Sequence, residues 1–236
     1  MSVLSHDFSL NARPAARLSR LGREGEPLFC LDGLMQRPQA LVDYAATQAE
    51  FAPVHGPAGG YPGVRAPAPL DYVEAVVRAL DPVVRDAFAL GAVRLGRAEC
   101  NFSMVTLAPG DLVPSQRAPH IDTSDPLHFA FLHYLCGPEQ GGTAFYRHRA
   151  TGFEAITPER AAAYEAARAV EPDPAPGYIH GDTPEFEQIG AADAAFDRLL
   201  VYRSRQLHSG LPTGALAPDP RRGRLTANIF LSYRPA

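Results

Sequence analysis

Apolar residues recur with two different periods along the chain, and the change comes close to Val93. In "RPQALVDYAATQ" the residues Leu41, Val42 and Ala45 have helical spacing, and "LDYVEAVVRALDPVVRDAF" carries a longer apolar stripe of the same kind. From about Val93 apolar and polar residues alternate, as in "AECNFSMVTL", which is typical of strands. The pattern therefore predicts helices in the first third of the chain and strands afterwards.

Four more short runs have strand character and are separated by clusters of Gly, Pro and Asp: "HFAFLHYLC", "GTAFYRHR", "RLLVYRSRQL" and "RLTANIFLSY". A predicted helix in "TPERAAAYEAARAV" and the loop after it interrupt this series at about residues 157–185. Residues 51–69 are so rich in Pro and Gly that they predict a loop. Short strands with turn signals indicate a β-sandwich or barrel.

We expect a mainly β fold with flanking helices (α+β), in which a double-stranded β-helix, or jelly roll, is braced by N-terminal helices. The 236 residues are enough for one domain with a full core. Within a single domain of residues 1–236, residues 1–92 are expected to form a helical N-terminal support region. Residues 93–236 are expected to form the jelly-roll core, with the helical and loop insertion at about 157–185.

The net charge of the chain limits the classes of binding partner that we expect. A formal net charge of −4 favours neither nucleic acid nor an anionic membrane. All 22 basic residues are arginine, because the sequence contains no lysine. Any carboxylate that the protein anchors with a cation is therefore held by a guanidinium, and a lysine Schiff base is excluded.

The cysteines and the N-terminal residues bear on location. The three cysteines are odd in number and far apart, which suggests free thiols in a reducing compartment. The first residues, "MSVLSHDFSLNARPAARLSRLG", lack the continuous apolar segment of a secretory signal, and no apolar run approaches membrane-spanning length. We expect a soluble cytoplasmic protein.

The stretch "APHIDTSDP" places His120 and Asp122 two residues apart. In a strand, side chains two apart point to the same face, so an imidazole nitrogen and a carboxylate oxygen would lie together. They supply two ligands of the 2-His-1-carboxylate triad that binds a ferrous ion and leaves open positions. An isolated H-x-D also occurs by chance, so the pair needs support from elsewhere in the chain.

A third ligand has to come from another histidine. Of the five candidates we choose His208, because it ends the strand in "RLLVYRSRQLHSG" and Ser-Gly follows it, so that it can lie at the mouth of a barrel. The candidates are His128, His133, His148, His180 and His208.

The last predicted strand has a polar face that is unusual for a core strand. By alternation Arg224, Thr226 and Asn228 share one face of "RLTANIFLSY", and the apolar residues share the other. An arginine there could bind a carboxylate through two hydrogen bonds, with Thr226 adding a hydroxyl. Alternatively, Arg224 is an exposed charge at the end of a strand. Arg222 has the same strand parity and is the reserve choice.

Together these motifs resemble the iron(II)/2-oxoglutarate-dependent dioxygenases, and most of all their prolyl 4-hydroxylase-like branch. The resemblance covers about residues 98–233 and rests on "HID", "FLHYLC", "EQGGTAFYR", "LHSG" and "RLT", which occur in the order of that branch. "HYLCGPEQGGTAF" is the most persuasive piece, because the spacing of the metal ligands does not require it. The segment "PTGALAPDPRRG" makes the distance between His208 and Arg224 longer than is usual in that branch, and Arg222 is therefore kept as the reserve choice.

The resemblance implies an Fe(II) site and a 2-oxoglutarate site. The residues implied for iron are His120, Asp122 and His208, and those implied for 2-oxoglutarate are Arg224, Tyr134 and Thr226. No catalytic residue is expected beyond the metal ligands. Gly141 and Gly142 are implied to have a structural role, because glycine allows a tight turn between strands. The implied reaction is hydroxylation of an unactivated C–H bond of an amino acid, peptide or small metabolite, with release of succinate and CO2. Asp122 favours hydroxylation over halogenation, because the related halogenases have a small residue there.

The substrate side is less defined. The two long loops, residues 51–69 and 157–185, are candidate lids. Candidate substrate-binding residues are Tyr61, Arg65, Arg117 and Arg147, with Arg149 nearby in sequence. Three other functions stay open: a cupin-like metal enzyme that does not use 2-oxoglutarate, a non-catalytic jelly-roll binding module, and a structural scaffold. The sequence does not define the oligomeric state.

Overall fold

The computed structural model describes residues 6–214 and 216–236. Within these residues it contains three α-helices, α1 Gln39–Thr47, α2 Leu70–Ala87 and α3 Pro158–Arg168. Its strands are β1 Ala15–Leu21, β2 Glu26–Asp32, β3 Ala52–Gly56, β4 Gly59–Pro67, β5 Val93–Val105, β6 His128–Tyr134, β7 Gly142–His148, β8 Phe186–Ala192, β9 Arg198–Arg203, β10 His208–Leu211 and β11 Leu225–Pro235.

The strands form two antiparallel sheets. The large sheet has eight strands in the order β1-β2-β9-β6-β11-β5-β4-β3, and the small sheet has three in the order β10-β7-β8. A β-bridge between His120 and His208 adds one more segment to the free edge of β10. From β5 onward the chain passes back and forth between the two sheets, which is the topology of a jelly roll. The predicted fold class is therefore confirmed.

Strand β11 lies between β5 and β6 in the large sheet and shows how the alternating pattern is used. Its apolar residues are buried in the main core on one face of the sheet: Leu225, Ala227, Ile229 and Leu231. Its other face borders the cavity described below, with Arg224, Thr226 and Asn228. The predicted division of this strand into a core face and a polar face is correct.

Helices α1 and α2 cover the outer face of the large sheet. The apolar stripe of α2 includes Val73, Val76, Leu80 and Val84, which are buried in the same core as Phe129 of β6. Full burial of each such aliphatic side chain stabilises the fold by about 1.5–3 kcal/mol. The inner face of the large sheet is turned toward the small one, as the edge contact of Phe145 with Tyr202 shows, with ring centroids 5.1 Å apart.

The expected helical nature of residues 1–92 is wrong in part, because this region also contains β1, β2, β3 and β4. The loop expected at residues 51–69 is a β-hairpin of β3 and β4, and β4 begins with Gly59 and Gly60, both with positive φ. Gly63 allows β4 to approach β5, since a Cβ there would lie 1.9 Å from the Met104 carbonyl oxygen. Here glycine serves close strand approach, whereas its frequency alone predicts a loop.

The insertion at residues 157–185 is confirmed as one helix followed by a loop. Its loop reaches the cavity through Tyr178, whose hydroxyl donates a hydrogen bond to the Leu107 carbonyl at 2.8 Å. The predicted tight turn at Gly141 and Gly142 is also present. A Cβ on Gly141, with φ of 81°, would lie 1.7 Å from the Leu211 carbonyl oxygen.

Across the residues described, no helix is long and apolar enough to cross a bilayer.

Candidate metal centre and its cavity

A cavity of about 480 Å³ lies between the two sheets. Strands β6, β9 and β11 of the large sheet form one wall, and β7 and β10 of the small sheet form the other. The hairpin of β3 and β4 and the loop carrying Tyr178 border the cavity as well. The volume falls in the range typical of small-molecule sites, and both candidate lid segments contribute to its lining.

Three potential metal ligands meet at this cavity. His120, Asp122 and His208 each present a ligand atom, and these atoms lie within 4.8 Å of one another. Backbone pairing holds the two histidines together, because each donates its N–H to the carbonyl of the other at 2.9 Å. The Asp122 N–H donates to the Ser204 carbonyl at 2.8 Å, so the carboxylate is fixed beside them. The structure brings the predicted triad together.

The surroundings suit the histidines to bind a cation through a neutral ring nitrogen. The His208 Nδ1 donates a hydrogen bond to the Gln206 carbonyl oxygen at 2.8 Å. The other ring nitrogen, Nε2, therefore carries the free electron pair that can bind a metal. That Nε2 lies 4.0 Å from Asp122 Oδ1. Burial lowers the pKa of His208 to about 4, and burial together with the neighbouring His208 lowers the pKa of His120 to about 4. Both rings are therefore neutral at pH 7.

Asp122 supplies the negative charge of this centre. Its side chain is only 19% exposed, and burial raises its pKa, while His120 and a hydrogen bond with Ser204 oppose that rise. A divalent cation would remove the cost of enclosing this carboxylate, since a buried charge needs a partner. Two neutral imidazoles and one carboxylate form the donor set that suits Fe(II) or a similar transition metal. The residues present therefore fit such an ion.

The other candidate histidines have partners elsewhere. His133 is fully buried on the opposite face of β6, 2.9 Å from the Tyr72 hydroxyl and 3.0 Å from Asp197 Oδ1. His148 contacts Thr151 and Glu171, His128 contacts Ser204, and His180 is exposed. The choice of His208 from five candidates agrees with the geometry.

Arg224 is buried and borders the cavity, and its hydrogen bonding is incomplete. Its Nη2 donates one hydrogen bond to the Gly142 carbonyl at 2.8 Å. The guanidinium carbon lies 5.6 Å from the centre of the Tyr134 ring. Its Nε has no hydrogen-bond partner within the described residues although it is buried. A buried cation with an unused donor is costly unless a ligand binds it.

The residues expected beside Arg224 differ in their access to the cavity. The Tyr134 hydroxyl is 2.6 Å from Thr143 Oγ1, and Thr143, not Tyr134, borders the cavity. Thr226 borders it directly. Tyr61 reaches the same region, and its enclosed hydroxyl has no partner in the described part of the chain. Burial raises the pKa of Tyr61, and the charges of the nearby Arg224 and Arg65 oppose that rise.

The substrate-binding candidates divide into two groups. Tyr61 and Arg65 lie on β4 and border the cavity. Arg117 does not border it, because its guanidinium is bound to the Leu112 carbonyl. Arg147 is also outside the cavity, in ion pairs with Glu154 and Glu187 that hold it in the small sheet. The expectation that Arg117 and Arg147 border the substrate site is therefore corrected by the structure. Their closeness in sequence to the motifs does not show which groups their guanidinium ions contact.

Neither of the two remaining arginines borders the cavity. Arg149 forms an exposed ion pair with Asp182 at 2.9 Å. Arg222, the reserve for Arg224, is exposed and borders a separate, smaller depression. The cavity lining includes residues that were not identified from the sequence as site residues, among them Thr143, Tyr178, Tyr202 and Asn228. Two of these carried a signal in the sequence: Asn228 shares the polar face of the last strand with Arg224 and Thr226, and Thr143 lies in the motif "EQGGTAFYR".

These features define the protein as a jelly-roll protein with a His-Asp-His cluster opening into a cavity that also contains a buried arginine. The chain belongs to the family described as a family of unknown function (DUF6445), whose model matches residues 12–231. No curated protein matches the chain in sequence.

Several solved structures resemble the chain at low sequence identity. One is the non-heme alpha-ketoglutarate-dependent epimerase SnoN from nogalamycin biosynthesis, with 13% identity over 89% of this chain and 82% of that one and a TM-score of 0.48. Another is HygX from Streptomyces hygroscopicus with nickel, 2-oxoglutarate and hygromycin B bound, with 11% identity over 87% and 82% and a TM-score of 0.46. These values are too low to transfer an activity, so the function has to follow from the site itself.

Proposed function

We propose that the protein is an Fe(II)- and 2-oxoglutarate-dependent oxygenase. The observation that carries this proposal is the presence, in one cavity, of the cluster His120, Asp122 and His208 and of the buried Arg224 with an unused donor. The first feature fits a divalent metal, and the second fits a carboxylate. A dicarboxylic keto acid that chelates the metal at one end and contacts Arg224 at the other needs both.

The metal would be held by one imidazole nitrogen from each histidine and by a carboxylate oxygen of Asp122. When bound, iron and 2-oxoglutarate supply the oxidation, in which O2 and the keto acid are consumed and the hydroxylated substrate, succinate and CO2 are formed. The chain itself holds the two histidines neutral and in register through their backbone pairing.

At the other end of the cavity, Arg224 would bind the distal carboxylate of 2-oxoglutarate. Its Nε and remaining Nη hydrogens are available, and the Gly142 carbonyl orients the group. The Tyr61 hydroxyl is the additional donor that the cavity offers at this position, and Thr226 adds a second hydroxyl. We propose Tyr61 for this role in place of Tyr134, whose hydroxyl is hydrogen bonded to Thr143 behind the wall.

An anaerobic titration of the purified protein tests the proposal. Fe(II) is added first and 2-oxoglutarate second, and a weak visible charge-transfer band is expected only when both are present. The His208→Ala variant should lose both metal binding and the band, because one of its three ligands is gone. Metal binding without the band in the wild-type protein would favour a cupin-like metal enzyme. A folded protein that binds no metal would refute the oxygenase and indicate a binding module.

A further inference from the structure

Three charged side chains border the cavity within the described residues: Asp122, Arg224 and Arg65. The proposed function, on which the following inference rests, employs the first two. Arg65 has no part in metal or cosubstrate binding there. We propose that Arg65 binds a carboxylate of the substrate, and that the substrate is a small monocarboxylate with an apolar body.

The sheet presents Arg65 to the cavity and restrains its guanidinium. Arg65 on β4 lies directly opposite Ser103 on β5, and Ser103 lies opposite Thr226 on β11. The Arg65 Nε donates to Ser103 Oγ at 3.2 Å, and the guanidinium carbon lies 4.5 Å from the centre of the Tyr61 ring. These contacts orient the group and leave both of its terminal nitrogens for a ligand.

Arg65 differs in this respect from most enclosed arginines of the chain. Arg147, Arg198, Arg203 and Arg205, which are buried or partly buried, each contact a carboxylate. No carboxylate of the described chain lies within ion-pair distance of Arg65, and Ser103 Oγ is its side-chain hydrogen-bond partner there. A half-buried cation without an anion is a cost to the folded protein that an anionic ligand removes.

The charge balance of the loaded site indicates a single negative charge on the substrate. The divalent metal, the Asp122 carboxylate, the two carboxylates of 2-oxoglutarate and the Arg224 guanidinium together carry no net charge. Arg65 then remains as one uncompensated positive charge. A monoanion neutralises it, whereas a neutral substrate leaves it unpaired and a dianion adds an unpaired negative charge in an enclosed space.

The rest of the wall describes the body of this substrate. Ala130, Leu132 and Phe230 provide apolar lining on the large sheet. Between them and Arg65 lies Asn228, whose Nδ2 donates to Ser103 Oγ at 3.4 Å and whose Oδ1 is buried without a partner in the described residues. A substrate N–H or O–H group could donate to this oxygen. The substrate class is thus a monocarboxylate with an apolar part and one hydrogen-bond donor.

Matched pairs of acids and neutral amides test the assignment, because they differ in charge and hardly in shape. Phenylacetate is compared with phenylacetamide, and hexanoate with hexanamide, by calorimetric titration into the anaerobic protein loaded with Fe(II) and 2-oxoglutarate. We expect each acid to bind the wild-type protein at least about tenfold more tightly than its amide, since a hydrogen bond to a charged group exceeds a neutral one by this much.

Variants connect the preference to Arg65. Arg65→Gln should weaken binding of the acids about 10- to 100-fold and leave binding of the amides and the visible metal–keto-acid band unchanged, while Arg65→Lys should retain part of the preference. Arg149→Gln, which removes an exposed arginine far from the cavity, is the matched control and should bind like the wild type. The thermal unfolding midpoint establishes that each variant is folded.

Each other result overturns the assignment. An equal affinity for acids and amides, no binding of either, or a preference that survives in Arg65→Gln would show that Arg65 does not recognise a carboxylate. Loss of the band in Arg65→Gln would assign Arg65 to 2-oxoglutarate instead. Absence of the band in the wild-type protein is the separate failure of the proposed function, and the same titrations on metal-loaded protein then decide whether Arg65 binds acids.

Discussion

Two buried arginines of this protein have opposite surroundings. Arg147 in the small sheet donates to Glu154 from Nε at 2.8 Å and from Nη2 at 2.6 Å, and to Glu187 from Nη1 at 2.6 Å. Arg224 at the cavity makes one hydrogen bond to a backbone carbonyl and leaves its buried Nε without a partner in the described chain.

The difference separates a structural ion cluster from a binding site. Buried polar groups in proteins are almost always hydrogen bonded, so a saturated cluster such as that of Arg147 needs no ligand to explain it. Arg224, whose buried Nε has no hydrogen-bond partner in the described chain, is an exception to this tendency unless a ligand binds there. Sequence reasoning treated both arginines as possible ligand-binding residues, and only their partners distinguish them.

The largest effect on stability is expected at the saturated cluster. Glu154→Ala removes the carboxylate that accepts hydrogen bonds from Arg147 and from the N–H groups of Arg23 and Glu24. Breaking a buried pair in this way costs about 3–5 kcal/mol of unfolding free energy, measurable by denaturant titration. Arg149→Gln breaks only an exposed pair and should cost less than about 1 kcal/mol. Equal losses in the two variants would contradict the comparison.

The converse result is expected at the cavity. Arg224→Gln should weaken 2-oxoglutarate binding about 10- to 100-fold, because a charge-assisted contact to the carboxylate is lost. Its unfolding free energy should change by less than about 1 kcal/mol, since the guanidinium makes only one hydrogen bond in the free protein. The control is Arg222→Gln, an exposed arginine two residues away, which should keep wild-type affinity. A similar loss in both variants would argue against Arg224 as the anchor.

The Glu154 cluster also predicts a pH dependence. Burial by itself raises the pKa of Glu154, but hydrogen bonds from Arg23, Glu24 and Arg147 outweigh it and hold this pKa below its usual range. A lowered pKa means that the stabilisation is present above the unfolded-state value of about 4.3 and is lost as the pH falls through the folded-state value. The difference in unfolding free energy between wild type and Glu154→Gln should therefore shrink below about pH 4. A difference that stays constant to lower pH would rule out this linkage.

The smallest changes in stability and affinity are expected when either of two tyrosines that border the cavity loses its hydroxyl. Tyr178→Phe leaves the Leu107 carbonyl without its donor and should lower the unfolding free energy by about 1 kcal/mol. Tyr61→Phe removes a hydroxyl that has no partner in the described chain, so it should leave stability unchanged and weaken 2-oxoglutarate binding by up to about tenfold. Calorimetry and thermal unfolding measure both. A destabilised Tyr61→Phe with full affinity would reverse the assignment.

Much of the jelly-roll core could be predicted because alternation along a strand is a local property. The two faces of β11 follow from the spacing of its residues, and the pair His120 and Asp122 follows from the spacing in a single short stretch. The strands of the first third were missed because β1 pairs only with β2 and is exposed along most of its length, so it lacks an apolar face. Glycines in β4 that serve close strand approach also imitate a loop.

Several expectations stay predictions, among them the cytoplasmic location, the absence of nucleic-acid and membrane partners, the single-domain organisation and the prolyl 4-hydroxylase-like branch. The sequence by itself determined the jelly-roll class, the three metal-ligand candidates and the polar face of β11, because these depend on short-range periodicity and residue chemistry. Only the tertiary structure decided which arginines are paired, that Tyr61 and Arg65 border the same cavity as the metal ligands, and that Thr143, not Tyr134, borders it. Those outcomes depend on contacts between strands distant in sequence, which the folded sheets create and the linear pattern does not contain.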